Sequence, residues 1–410
     1  MALGVRRNYV RILINSRLTG KWLWKIEEVL KHYGDVVRIA PNELVFLTPR
    51  AGRDIHATQV KNLEKFVKTD FEDLGEDGGI SFEIDPIKHR DVAKKLSPAF
   101  GARNTKAKEA VLYKYIDVFV DKMGAMGGKD VELRQWADWL TMDISANMTY
   151  NRQRNQMKDG GYQEVQSRIG RKEETEHLDY FEQLIPRDMP APSDQKQINH
   201  LERIAGWEPM SNQFYSSIFF LLKEPSAYKS PINEIRSTFQ NYNEITPDPV
   251  ANMKYLHACL QETFRIHQNT SDDLPRTSPG AIIDGNYVPR GVICQISHFA
   301  AARNPRYFSD PLSYRPQRWL ASNHPEWDNK YENDDPKAFL PFNQGPRMCP
   351  ASAIAWAQMK LYLAKVLWTF DVEAVPGQDV SFDRDFSVYT MWNKPQFWVR
   401  FVPVKREEGR

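Results

Sequence analysis

The stretch Pro341-Phe342-Asn343-Gln344-Gly345-Pro346-Arg347-Met348-Cys349-Pro350-Ala351 gathers residue types that hold a sulfur ligand in place. Cys349 follows a Gly-Pro turn and comes just before an apolar-periodic segment that reads as a helix. The dipole at a helix N-terminus favours a thiolate and lowers the cysteine pKa, and thiolate is the form that ligates a metal. Gly345 permits a positive φ, so the backbone there can bend close to a ligand. Arg347 can point to the same side as the sulfur and neutralise a carboxylate, while Phe342 would shield the sulfur from water. The chemistry suggested is a thiolate held over a flat cofactor with acidic groups at its rim.

Read as Phe-x-x-Gly-x-Arg-x-Cys, this stretch resembles the haem-binding loop of a cytochrome P450; the competing reading is a buried structural cysteine beside a turn. The resemblance implies haem b with Cys349 as the axial thiolate on iron, an arrangement that pushes electron density toward the metal and favours O–O cleavage. One position departs from the pattern: Ala351 stands where the family usually has glycine. Alanine is small enough that the haem is still expected to fit.

Other motifs must position that loop. Glu262 and Arg265 stand at i and i+3 on one helical face in Tyr255–Arg265, and Arg318 of Tyr314-Arg315-Pro316-Gln317-Arg318-Trp319 is their natural third member. The alternative is two unrelated surface ion pairs. As one buried unit they would lock the loop that carries Cys349, and breaking one partner of such a unit costs about 3 to 5 kcal/mol. Arg276 matches the family arginine that pairs a haem propionate; the alternative is a solvent-exposed arginine. Asp85-Pro86-Ile87-Lys88-His89 leads into a basic helical stretch, Arg90 to Phe100, resembling the helix that lies on a propionate. His89 is the better candidate for that contact. The family's arginine position holds Ala93, and Lys94 beside it is weaker because lysine lacks the bidentate fork.

The segment Ile204-Ala205-Gly206-Trp207-Glu208-Pro209-Met210 aligns with the oxygen-binding helix motif Ala-Gly-x-Glu-Thr-Thr, and Phe219–Pro225 matches the way that helix ends. The acid, Glu208, is retained as the catalytic candidate, but Pro209 and Met210 replace both threonines. Splitting dioxygen takes protons delivered in order, and a proline side chain neither donates nor accepts one. Proline inside a helix also frees the carbonyl four residues back, here that of Ala205, at about 3 kcal/mol. That carbonyl could itself anchor water.

The fold class expected is mainly α with a small β region. No linker divides the 410 residues, so residues 1–410 read as one domain. Within it lie an N-terminal helix and small β-sheet (1–60), a shortened substrate roof (151–197) and the haem loop with its following helix (335–370). The roof interval is polar and too short for the two helices the family places there. Expected elements are helices at Trp22–Tyr33, from Pro49, at Val111–Met123 and at Val131–Met148, and strands at Val36–Ala40 and Glu43–Leu47. A strand and hairpin are expected over Leu274–Pro289, and Val292–Ala302 as a strand running into a helix. Ile354, Ala357, Leu361, Ala364 and Trp368 form the buried stripe of a helix beneath the cofactor.

Apolar residues make up 41% of the chain, enough for a large core. A net charge of +2 gives no reason to expect nucleic acid as a partner. The three cysteines are too few for a disulfide framework. No run of about 18 apolar residues occurs, so no transmembrane helix is expected, and no signal peptide follows the first basic residues. By family the location is the cytoplasmic side of the endoplasmic reticulum; without the usual anchor, a soluble cytoplasmic form is the alternative.

The late segment Val388–Pro395 and the stretch Lys365–Val372 resemble P450s of filamentous-fungal secondary metabolism. The resemblance runs from about Trp22 to Phe401 and is weakest between Asn151 and Gln197. It implies a haem-thiolate monooxygenase that oxidises a small apolar secondary metabolite with electrons from NADPH-cytochrome P450 reductase. Loss of the threonines keeps two alternatives open: a haem-thiolate isomerase, dehydratase or peroxide-using enzyme, and a catalytically silent haem protein.

Overall fold

The structure is a computed structural model that describes residues 16–69, 80, 83–150, 156–159, 207–269, 274–389 and 391–406. It is mainly α with small sheets, as the sequence implies. Helix α1 (Trp22–Tyr33) buries Trp22, Leu23, Ile26, Val29 and Leu30, one apolar stripe at helical spacing. It stops at Gly34, whose φ of 100° few other residues adopt. Strands β1 (Val36–Ala40) and β2 (Glu43–Phe46) pair antiparallel across the Pro41-Asn42 turn. Helix α2 (Pro49–His56) follows, with the Thr48 hydroxyl accepting from the Ala51 amide and Pro49 opening the first turn.

Three two-residue strands come next: β3 (Gln59–Val60), β4 (Leu63–Glu64) and β5 (Val67–Lys68). Helix α3 (Pro86–Phe100) is capped by Asp85, whose carboxylate accepts from the Ile87 and Lys88 amides at 2.7 and 3.1 Å. Helix α4 (Ala102–Met126) begins nine residues before its apolar periodicity does. Its first turns bury the polar Asn104 and Lys108, which bond the Ala99 carbonyl and so carry no apolar signal.

The helix expected from Val131 instead starts at Leu133 as α5 (Leu133–Tyr150), because Val131 lies in β6 (Asp130–Glu132) opposite Val399. Helix α6 (Trp207–Lys223) is buried without interruption from Met210 to Leu221 and packs on α5, α7 (Pro225–Thr238), α8 (Lys254–Ile266) and α9 (Ser352–Thr369). A helix covered all round lies at the centre of a large core. The stripe expected on α9 is buried except for the half-buried Ala357, and from Leu361 to Trp368 the helix is buried on every side.

Strands β7 (Arg276–Thr277) and β10 (Ile293–Ile296) join β1, β2 and β5 in one sheet of order β1-β2-β10-β7-β5. The N-terminal sheet is thus completed from the second half of the chain, which ties Arg276 to the N-terminal segment. The hairpin β8 (Ala281–Ile283) and β9 (Asn286–Val288) turns at Asp284-Gly285, as its glycine suggests. Strands β11 (Phe370–Ala374) and β14 (Trp398–Pro403) pair with β6 in a second sheet, and β12 (Ser387–Val388) pairs with β13 (Trp392–Asn393). Apart from Gln156–Asp159, the roof interval 151–197 lies outside the described residues. No described helix is long and apolar enough to cross a membrane.

Candidate functional site

Cys349 lies three residues before α9, at the end of the loop held by Gly345–Arg347. Its amide donates to the Phe342 carbonyl at 2.9 Å, closing the loop on itself. Gly345 has φ 77°, and a Cβ there would overlap the His56 carbonyl oxygen at the end of α2. Glycine is therefore required twice, by backbone conformation and by contact. Phe342 packs edge-on to Phe264 of α8 at 5.3 Å and beside Trp356 of α9 at 5.9 Å. Those contacts wedge the loop between two core helices.

Sequence reasoning gives Cys349 a pKa lowered by the helix dipole. In the fold, burial dominates and pushes the thiol up, with the Ala351 amide working against it as a hydrogen-bond donor to sulfur. A metal is what would favour the thiolate here.

Cationic groups gather around this loop. Arg276 is 2% exposed; it donates through Nη1 to the Leu274 and Pro275 carbonyls at 2.7 and 3.0 Å, while its buried Nη2 has no partner. Burial and the nearby Arg347 lower its pKa to about 10. Arg347 is bound through Nε to Glu64 at 2.7 Å, again through Nη2, and to the Glu83 and Ile84 carbonyls. Two buried side chains thus clamp the cysteine loop to β4. His89, 7% exposed, has its pKa pushed down to about 4 by burial and by Arg347, with Glu64 opposing. The structure therefore brings His89, Arg276 and Arg347 together, whereas Lys94 is exposed and does not join them. His56 belongs to the same cluster; sequence reasoning missed it because nothing marks a histidine at a helix end as buried.

The positioning network is assembled as one unit. Arg265 forks onto Glu262 with both contacts at 2.8 Å, both side chains fully buried, and Arg318 Nε reaches Glu262 at 3.1 Å. Burial alone would raise the Glu262 carboxyl, but the Arg265 and Arg318 guanidiniums outweigh it and hold it below its usual range. The Trp319 indole and the Arg315 amide complete the carboxylate's shell at 2.9 and 2.8 Å. Arg318 also pairs with Asp334, a fourth member that no local motif signals. Arg265 donates to the carbonyls of Ala302, Pro311 and Ser313, so the network braces the chain leading toward the cysteine loop.

Glu208 lies in the first turn of α6 and lines a cavity of about 660 Å3 with Asp138, Trp139, Met142, Trp207 and Lys394. Burial raises its pKa; Lys394 opposes this and Asp138 adds to it. The buried Lys394 ammonium bonds Asp138 at 2.9 Å and the Ser211 hydroxyl at 2.6 Å, and Ser211 donates to Asp138. An acid, an alcohol and an ammonium thus sit beside Glu208. Ser211, three residues after Glu208, was readable as a same-face neighbour; Asp138 and Lys394 come from distant segments. Pro209 is the third described residue of α6, and the residues just before Trp207 lie outside those described. The Ala205 carbonyl that this proline is expected to free also lies outside the described residues.

These residues fit a haem: a half-buried sulfur, a glycine cradle, and buried arginine and histidine nitrogens with unused hydrogen-bonding capacity. Among the described residues no His, Cys, Asp and Glu cluster offers a competing metal site. Comparison with known proteins points the same way. The family model for "Cytochrome P450" matches residues 197–399. The chain is 43% identical to the cytochrome P450 monooxygenase TwmD of Talaromyces wortmannii, with 94% of this chain and 87% of the relative covered. It is 30% identical to poxC of Penicillium oxalicum over 94% and 85%, and 29% identical to BOA3 of Botryotinia fuckeliana over 94% and 87%, both also cytochrome P450 monooxygenases. The TwmD alignment spans 446 positions, more than the 410 residues here, so that relative carries residues with no counterpart in this chain.

Proposed function

This chain belongs to the cytochrome P450 family, and from that premise we propose that it is a haem-thiolate monooxygenase acting on a small apolar secondary metabolite. Cys349 would hold haem b through its sulfur, and Arg276, Arg347 and His89 would supply the hydrogen-bonding and cationic groups for its carboxylates. Bound there, the haem supplies the reductive activation of dioxygen, with electrons from NADPH-cytochrome P450 reductase. The observation that carries the reading is the half-buried Cys349 on a glycine-cradled loop, ringed by buried cations and braced by the Glu262 network.

The chain's own part in the reaction centres on Glu208. Its raised pKa keeps a proton on the carboxyl over a wider pH range than an exposed glutamate would. Charged and polar side chains wall the cavity beside it, which suits water better than an apolar substrate. Protons entering there reach Glu208 next to Ser211, whose hydroxyl is held by Asp138 and Lys394. This arrangement substitutes for the relay that Pro209 cannot make.

The test is oxygen tracing. Purified protein, reductase and NADPH are incubated under isotopically labelled dioxygen with a panel of apolar polycyclic compounds. One labelled oxygen atom per product molecule, with no product when NADPH is omitted, is the expected result. Pro209 favours a second reading, peroxide-using chemistry: product formed with hydrogen peroxide but never with NADPH would replace the monooxygenase assignment.

A further inference from the structure

His56 is the last residue of α2 and 4% exposed, yet neither of its ring nitrogens has a hydrogen-bond partner. An imidazole buried in this way leaves both a donor and an acceptor unsatisfied, which is costly unless something meets them. The ring stacks on His298 at 6.3 Å between centroids with 26° between planes, which fixes its plane but satisfies neither nitrogen. Its own carbonyl abuts Gly345 of the cysteine loop. Its charged neighbours are Arg276 and Lys68, which face each other across β5 and β7.

Arg276 offers the matching deficit, a buried Nη2 with nothing to bind. Arg347 differs, since Glu64 and two backbone carbonyls already occupy it. Of the three α3 positions considered for the cofactor only His89 is buried; Ala93 has nothing to give and Lys94 is exposed. Within the cation cluster, His56 and Arg276 are thus buried side chains that keep nitrogens without a partner.

We propose that His56 and Arg276 together grip one carboxylate arm of the haem, His56 donating a ring N–H and Arg276 its free Nη2, so that α2 is part of the cofactor site. This rests on the reading that Cys349 holds a haem. A carboxylate is the group that answers both residues at once: it accepts two hydrogen bonds and brings negative charge beside Arg276 and Lys68. Burial, reinforced by Arg276, His298 and Lys68, keeps the His56 ring neutral, so the bond needs only a single N–H.

The experiment follows haem loss from the loaded protein into excess apomyoglobin, for the parent and for His56→Leu, with ordinary haem and with haem whose carboxylates are capped as methyl esters. We expect His56→Leu to speed the loss of ordinary haem about tenfold, as befits one hydrogen bond to a charged group. With the capped haem, parent and variant should lose it at the same rate. Equal acceleration with both haems would mean that the ring only fills space, and would overturn the proposal. Should the leucine variant not fold, His56→Asn and His56→Gln carry the comparison, since each keeps an N–H near one ring-nitrogen position. One of them should hold ordinary haem at nearly the parent rate; if both leak equally from either haem, the proposal fails. A parent protein that takes up no haem would overturn the haem reading itself, an outcome distinct from all of these.

Discussion

Glu262 shows what a buried charge does at the scale of one residue. Two guanidiniums, an indole and an amide converge on a carboxylate with no exposure, so removing any partner strands the rest in a low-dielectric interior. Glu262→Gln and Arg318→Leu should each cost about 3 to 5 kcal/mol. In a double-mutant cycle followed by urea unfolding, the pair should cost well below the sum of the singles. Small, additive effects would mean that the charges act independently. This triad was legible because Glu-x-x-Arg is local and the third arginine follows at a fixed motif; Asp334 was not, being chosen by the path of a loop. Gly345 was legible as a turn residue, but its contact with the His56 carbonyl, nearly 290 residues earlier, is a tertiary fact.

At the scale of an element, α6 carries Glu208 and Ser211 three residues apart, on one helical face. Pro209 lies between Glu208 and Ser211, and Ser211 is tied to α5 through Asp138 and to the chain before β14 through Lys394. Pro209→Thr should not lower stability in urea unfolding, because a helix loses nothing when a proline is removed from it. Its effect belongs to coupling: product per NADPH should rise and released hydrogen peroxide fall. An unchanged ratio would show that the Ser211 cluster already delivers protons as well as an added alcohol can. Periodicity located α6 and α9, whose apolar faces are dense. It placed the start of α5 too early, since strand pairing to β14 captured Val131, and it missed the opening turns of α4, which bury polar side chains.

For the whole molecule, several histidines are buried neutral. Burial is the leading cause that lowers the pKa of His89 to about 4 and holds those of His56 and His267 well below the ordinary histidine value. An unfolded histidine titrates near about 6.5, so between that pH and about 4 the unfolded chain binds more protons than the folded one. Stability is complete above about pH 6.5 and falls as the pH drops, by about 1.4 kcal/mol per pH unit for each such group. The urea midpoint should accordingly fall steadily from pH 7 to pH 5; a flat profile would mean that these rings are charged or exposed. The five-stranded sheet brings residues 36–68 together with 276–296 and so assembles the cation cluster. No local pattern announces that union. The account as a whole rests on Cys349 ligating iron, and the most direct measurement is the absorption of the reduced, carbon monoxide-bound protein. The band should lie at the long-wavelength position diagnostic of an axial thiolate and be lost in Cys349→Ser; a band at the position of imidazole-bound haem, or one unchanged by that substitution, would contradict the account.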